Sequence, residues 1–167
     1  YLEAAGEFYI FAINVTYNHD EELGSWVDWE SCGCLDKNGK IIVPPKYKCI
    51  EVHGEYIFAR REDPELLEFD YSSLNALVYD LYNASGAVLI GGFRKYEFNE
   101  KQRLFKLFFG GIWRRKYCDG PYYLDEAGGQ WLIVDHTLRS IKKRDLGKGY
   151  FFTPGCLIKI TNTMYDV

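Results

Sequence analysis

The sequence predicts an all-β fold, an array of about three antiparallel β-hairpin units. Aromatic residues make up 17% of the 167-residue chain, with 14 Tyr and 11 Phe, and such side chains pack well on pleated sheets. Turns of the form [DN]-x-x-G begin at Asp36, Asn83 and Asp125, which are 47 and 42 residues apart. A spacing of this size is typical of repeat proteins, and an apolar run follows each turn.

The first unit, residues 7–61, opens with two long strand signals. The apolar and β-branched segment 7–18 predicts a strand, 19–25 a polar turn, and 26–35 a return strand. Alternation of apolar and polar residues is imperfect along both strands. We therefore expect strands that are covered on both faces, or a bulge.

The second half of this unit begins with the first repeated turn. Asp36 to Gly39 predicts a tight turn, because Asp bonds to its own backbone and Gly accepts positive φ. The run KIIV follows as a short strand, and Pro44 and Pro45 end its pairing because neither has an N–H group to donate. Tyr47 resumes an extended run, HGE turns the chain, and YIFARR forms the partner strand.

The second and third units, residues 76–109 and 113–163, repeat this order in shortened form. The turn at Asn83 is followed by AVLI and by Gly91-Gly92 as a breaker pair, and the turn at Asp125 by QWLIV. Between the first two units, Asp63 as cap and Pro64 at the first position predict one short helix. The whole chain, 1–167, is predicted to form a single β-repeat domain.

Residues 35–61 resemble the WG repeat, a unit with a D-x-x-G-K turn, an apolar strand and a P-P-x-Y-D-x-I segment. Cys32-Gly33 stands where that family has its Trp-Gly pair. The resemblance implies a β-repeat scaffold with binding and interaction roles in bacterial proteins, and it carries over no catalytic residue. The matching positions are Asp36, Gly39, Pro44, Pro45, Tyr47 and Ile50.

Cysteine usage and hydropathy bear on the compartment. The chain has five Cys, an odd count that includes one C-x-C pair, and this pattern favours a reducing, cytoplasmic location. No signal peptide is visible, but secretion stays open because the chain starts at Tyr1 and its start is compatible with processing. No run of about 18 apolar residues predicts a membrane span.

Catalytic and metal signatures are weak throughout. Cys32 and Cys34, with His19 and Cys49, supply ligand types that Zn²⁺ accepts, but a second paired knuckle is absent and buried free thiols are the favoured interpretation. The three His residues stand in no catalytic signature. We predict no catalytic residue, no metal and no cofactor, and an enzyme is the less favoured alternative.

The charge of the chain is divided along its length. Residues 1–90 contain 6 Lys and Arg against 16 Asp and Glu, a balance of −10, and residues 91–167 contain 14 against 8, a balance of +6. Acidic residues flank two tryptophans in the first half, and aromatic anchors dominate binding energy at interfaces. We predict a non-enzymatic protein-binding module, for example an inhibitor or immunity-type protein that docks on a basic partner. The predicted contact residues are Asp20, Glu21, Glu22, Trp26 and Trp29.

Nucleic-acid binding is the alternative prediction, and it rests on the second half. Cations interleaved with aromatic residues track phosphates and stack bases. The opposing interpretation is that Lys and Arg on edge strands prevent sheet-to-sheet aggregation. The residues of this alternative are Arg94, Lys95, Trp113, Arg114, Arg115, Lys116, Arg139, Lys142, Lys143 and Arg144.

Overall fold

The computed structural model describes residues 1–20, 24–62, 77–115, 122–141, 150–153 and 156–159. The prediction of an all-β array of antiparallel hairpins is confirmed, since every regular element in these segments is a strand. The short helix predicted at Asp63 and Pro64 lies outside the described residues. None of the described segments forms a helix long and apolar enough to cross a membrane.

The chain divides into two compact units, Tyr1–Gly91 and Gly92–Val167. This division coincides with the charge boundary of the sequence, because residue 91 is itself uncharged. The first unit therefore carries a balance of −10 and the second a balance of +6. The charge asymmetry is a difference between two structural units.

The first unit begins with a four-stranded antiparallel sheet in the order β1-β2-β3-β4. Its strands are β1 (Leu2–Ala5), β2 (Phe8–Asp20), β3 (Gly24–Asp36) and β4 (Ile41–Tyr47). The strands β2 and β3 match the two long predicted strands. The short strand β1 has no counterpart among the sequence predictions, which started the first unit at residue 7.

A second four-stranded sheet, in the order β5-β6-β7-β8, follows in the described part of the first unit, and its last strand runs two residues past the boundary at Gly91. Its strands are β5 (Cys49–His53), β6 (Tyr56–Glu62), β7 (Leu77–Asn83) and β8 (Val88–Phe93). The predicted break at Gly91-Gly92 is wrong, because β8 runs through both glycines. Gly91 has another reason to be glycine: a Cβ there would collide with Oδ1 of Asp80.

The described segments of the second unit form one three-stranded antiparallel sheet, ordered β13-β10-β9, and two separate hairpins. Phe98 and Phe105 stack across the paired strands of this sheet, with ring centroids 4.8 Å apart. The strands are β9 (Lys95–Asn99), β10 (Leu104–Phe109), β11 (Ile112–Arg115), β12 (Tyr122–Asp125), β13 (Gln130–Asp135), β14 (Tyr150–Thr153) and β15 (Cys156–Lys159).

The predicted turn at Asp36 forms as expected. Oδ1 of Asp36 accepts hydrogen bonds from the backbone N–H groups of Asn38 and Lys40, at 2.8 and 2.9 Å. The bond from Lys40, with a smaller contribution from Asn38, lowers the pKa of Asp36. Gly39 has a φ of 82°, which glycine adopts without strain. The turns at Asn83 and Asp125 use the same side-chain bond to the residue two positions later.

A fourth turn of this kind begins at Asp135 and was missed by sequence reasoning. Its Oδ1 accepts from the backbone N–H groups of Thr137 and Arg139, at 2.8 and 3.0 Å. Leu138 occupies the position that glycine holds in the other turns, with a φ of 63°. The aspartate therefore makes the same turn bonds without a glycine, and the missing glycine concealed the turn.

The two prolines interrupt pairing inside one continuous strand. Cys34 pairs with Val43 and Cys32 pairs with Tyr47, so that β4 has two extra residues between paired positions. Pro44 and Pro45 lie in this bulge, where no ladder N–H is needed. The predicted loss of pairing at the prolines, and its return at Tyr47, are confirmed, although β4 does not end there.

The core of the first unit is built from both of its sheets. The first sheet contributes buried residues of β2, β3 and β4, and the second contributes buried residues of β5, β6 and β7. The buried cluster consists of Phe8, Ala12, Cys32, Cys34, Ile42, Val43, Tyr47, Ile50, Ile57, Ala59 and Tyr82.

Candidate functional site

The first sheet has a second face, which we call the outer face. Residues paired across neighbouring strands project to the same side of a sheet. Phe11 pairs with Leu2 and with Gly33, and Tyr9 pairs with Ala4 and with Leu35. In the same way, Ile13 pairs with Ser31, and Leu35 pairs with Ile41. We define the outer face by these paired positions, which are Leu2, Ala4, Tyr9, Phe11, Ile13, Ser31, Gly33, Leu35 and Ile41.

The opposite face of the same strands is the one that packs into the core. Phe8, Ala12, Cys32 and Cys34, which alternate with the outer-face residues along β2 and β3, are all buried. Because this face is buried in the core, the outer face is the one directed away from the core. The sheet is thus apolar on both sides, with only one side covered within the first unit.

Four large side chains of the outer face are exposed to solvent. Leu2 is 62% exposed, Tyr9 39%, Ile13 43% and Ile41 55%. None of the nine outer-face residues is charged. We estimate an exposed apolar area on the order of 400 Å², which is the size of the largest apolar patch on a typical monomer, and such patches are often functional.

Phe11 lies across Gly33 at the middle of the outer face. A Cβ at Gly33 would lie 2.5 Å from Cζ of Phe11 and 2.8 Å from the carbonyl oxygen of Val43. Gly33 is the glycine that stands in the Trp-Gly position of the sequence pattern. Its role is steric, since the absence of a side chain lets the Phe11 ring lie against β3.

The predicted acidic and tryptophan residues belong to the same two strands. Asp20 is the last residue of β2 and pairs with Gly24, and β3 contains Trp26 and Trp29, which pair with Asn18 and Val15. The structure describes only the backbone of Asp20, Trp26 and Trp29. Glu21 and Glu22 lie outside the described residues. The strands β2 and β3 thus supply both this predicted site and most of the outer face.

The predicted basic residues are divided among several elements. Arg94 precedes β9, Lys95 begins it, and Arg139 closes the turn that begins at Asp135. For Trp113, Arg114 and Arg115 the structure describes the backbone alone, as strand β11. Lys116, Lys142, Lys143 and Arg144 lie outside the part of the chain that the structure describes.

Lys95 belongs to an aromatic and cationic cluster around Trp131 that sequence reasoning missed. Its Nζ lies 3.2 Å from Oε1 of Glu126 and 5.4 Å from the Trp131 ring centroid. Nζ of Lys106 lies 4.3 Å from that centroid and 3.1 Å from Oε2 of Glu97. Both cations are paired with carboxylates of the same unit, so the cluster stabilises the sheet β13-β10-β9 and offers little net charge to a phosphate.

A buried polar network joins the two sheets of the first unit. Oδ2 of Asp80 accepts a hydrogen bond from the Tyr47 hydroxyl at 3.1 Å and from Nε of Arg61 at 2.7 Å. The Tyr47 and Tyr82 hydroxyls are also hydrogen-bonded to each other. Burial, reinforced by the bond to Tyr82, raises the pKa of Tyr47. Because Tyr47 is fully buried, this network holds the sheets together and does not face a ligand.

Burial disfavours the thiolate form of Cys32, Cys34 and Cys49. Burial raises the pKa of Cys32 and of Cys34 to about 11. Burial also raises the pKa of Cys49, against a smaller lowering by Arg60. The thiolate is the reactive and metal-binding form, so these environments do not activate a nucleophile. No three His, Cys, Asp or Glu side chains are arranged to hold a metal ion in the described segments.

Comparisons of the chain with protein-family models, with curated proteins and with solved structures give no significant match. Any function proposed for this chain therefore rests on its fold and on the geometry of its surfaces.

Proposed function

We propose that this chain is a protein-binding module whose contact surface is the outer face of the first sheet. The observation that carries the proposal is the exposed, uncharged row of large apolar residues, held in register on one side of β1 to β4. The largest exposed apolar patch of a domain is often its functional surface. The proposed scaffold is a β-hairpin array of the WG-repeat type, which the recurring Asp and Asn turns support.

The energetics of the outer face fit protein association. An apolar area on the order of 400 Å² is worth about 10 kcal/mol on transfer from water. Association costs about 4–15 kcal/mol in lost freedom and ordering. The outer face alone therefore roughly balances this cost, and the apolar area of the partner and contacts at the rim supply the net affinity.

The proposal predicts that polar substitutions on the outer face remove a bound protein. The tagged chain would be used to capture proteins from the native lysate, in parallel with the double variant Ile13→Asn and Ile41→Asn. We expect the variant to capture at least about tenfold less of a stoichiometric partner than the wild type does. Each substitution replaces an exposed apolar side chain by a polar one that must be desolvated on binding. Bound proteins and nucleic acids would both be quantified.

Val88→Asn is the matched control. Val88 is 55% exposed, the same as Ile41, but it lies on β8 in the other sheet of the unit. Capture that is equally reduced by Val88→Asn, or unchanged by the double variant, would contradict the proposal.

Nucleic-acid binding by the second unit is the alternative function, because its charge balance of +6 favours a polyanion. The same capture experiment tests it. Nucleic acid that is retained at low salt and lost at moderate salt, with no change in the double variant, would favour the basic clusters instead. Counterion release makes such binding steeply dependent on salt.

A further inference from the structure

We infer that the partner of the outer face is the outer face of a second copy of this chain, so that the protein forms a symmetric dimer. This inference rests on the proposed function and names the occupant of the same surface. In a two-fold dimer the same patch serves both protomers. The contact must therefore be complementary to itself.

The chemistry of the outer face meets this requirement. Its nine residues include no charged side chain, although the unit around them has a balance of −10. A partner recognised through opposite charge would need acidic side chains within the contact, and the outer face offers none. A neutral apolar face matches another neutral apolar face, and a second copy supplies one.

The shape of the outer face also suits sheet-on-sheet packing. Tyr9, Phe11 and Ile13 alternate along β2 and form a row of large side chains. The small residues Ala4 and Ser31 lie beside the ends of this row, paired with Tyr9 and Ile13. Two sheets pack about 10 Å apart when large side chains of one enter the spaces beside small residues of the other.

Size and charge set the strength of the dimer and its response to salt. Two patches bury on the order of 800 Å² of apolar surface together, which is less than the ~1,000 Å² that a stable interface clears, so the dimer is a weak one. We therefore expect a dissociation constant on the order of 10 µM. Each chain has a formal charge of −4, so added salt screens repulsion between copies and strengthens the dimer. A basic partner would show the opposite dependence.

Sedimentation equilibrium of the full chain tests the inference, at protein concentrations from about 1 to about 200 µM, which bracket the expected constant. We expect a monomer–dimer equilibrium that tightens from low to high salt. The double variant Ile13→Asn and Ile41→Asn should raise the dissociation constant of the dimer at least about tenfold, and Val88→Asn should leave that constant unchanged. Leu2→Asn, at an exposed edge-strand position, is the second test variant, and near-UV circular dichroism checks that each variant keeps the native packing.

Each outcome bears on one of the two proposals. A chain that stays monomeric at every concentration, or a dimer that only Val88→Asn weakens, overturns the second-copy inference. If that monomeric chain still loses a captured protein in the double variant, the proposed function stands and its partner is a different protein. If the variant changes neither sedimentation nor capture, both proposals fail.

Discussion

Replacing Asp80 by leucine is expected to lower the free energy of unfolding by about 3 kcal/mol, the cost of removing one partner from a buried ion pair. Asp80 is the acceptor for both Arg61 and Tyr47. Its removal leaves the guanidinium of Arg61 without this carboxylate and takes one of two partners from the Tyr47 hydroxyl. The side chain of Arg61 is 28% exposed, so water compensates part of the loss and the cost falls at the lower end of the usual range.

Urea denaturation of the two proteins measures this effect. Glu7→Gln is the control, because Glu7 forms a comparable pair with Lys37 at 3.1 Å but both side chains are largely exposed. Exposed pairs of this kind contribute little, and the control should unfold like the wild type. Equal and small changes in both variants would show that the Asp80 network does not hold the two sheets together.

Gly33→Ala is expected to lower the free energy of unfolding by about 3 kcal/mol, at the upper end of the range for overpacking. The new Cβ would lie 2.5 Å from the Phe11 ring and 2.8 Å from the carbonyl oxygen of Val43. The ring can rotate away, but the oxygen belongs to the backbone of a paired strand. The substitution therefore moves β4 relative to β3, or displaces Phe11 from the outer face, or both.

Thermal and urea unfolding of Gly33→Ala would be compared with Ser31→Ala, a change two residues away on the same face of β3. Ser31→Ala removes a hydroxyl and adds no atom, so it should change stability by less than about 0.5 kcal/mol. A Gly33→Ala protein as stable as the wild type would mean that Phe11 does not lie across Gly33. That result would also remove the close packing on which the shape of the outer face depends.

Local chemistry explains why most turns and strands were predictable. Asp36 and Asn83 determine their turns through bonds to residues two and four positions later, and such short-range information is present in the sequence. The turn at Asp135 uses the same bonds with Leu138 in the glycine position. It was missed because the turn pattern included glycine, although the aspartate carries the interaction.

The outer face was not predictable, because both faces of the first sheet are apolar. In the segment FYIFAI the residues that point to the core, such as Phe8 and Ala12, are no more apolar than Tyr9, Phe11 and Ile13. A period of two in hydrophobicity identifies the buried face only when the other face is polar. Here the assignment comes from packing against the second sheet, which no local pattern contains.

The basic site illustrates the same limit for charge. Lys95 was predicted to contact a polyanion because cations surround it in sequence. The structure pairs it with Glu126, which is 31 residues further along the chain. A cluster of like charges in sequence does not reveal the carboxylates that the fold brings to it, whereas the division of charge between the two units was visible from composition alone.

The central claim is that the outer face is a binding surface, and hydroxyl-radical footprinting read by peptide mass spectrometry tests it most directly. Oxidation of Leu2, Tyr9, Ile13 and Ile41 would be measured in dilute protein and again in the associated state, with Val88 as internal reference. We expect all five to be oxidised in dilute protein, since all are exposed, and only Val88 to remain so on association. Protection that falls on Val88 while the four outer-face residues stay reactive would contradict the claim.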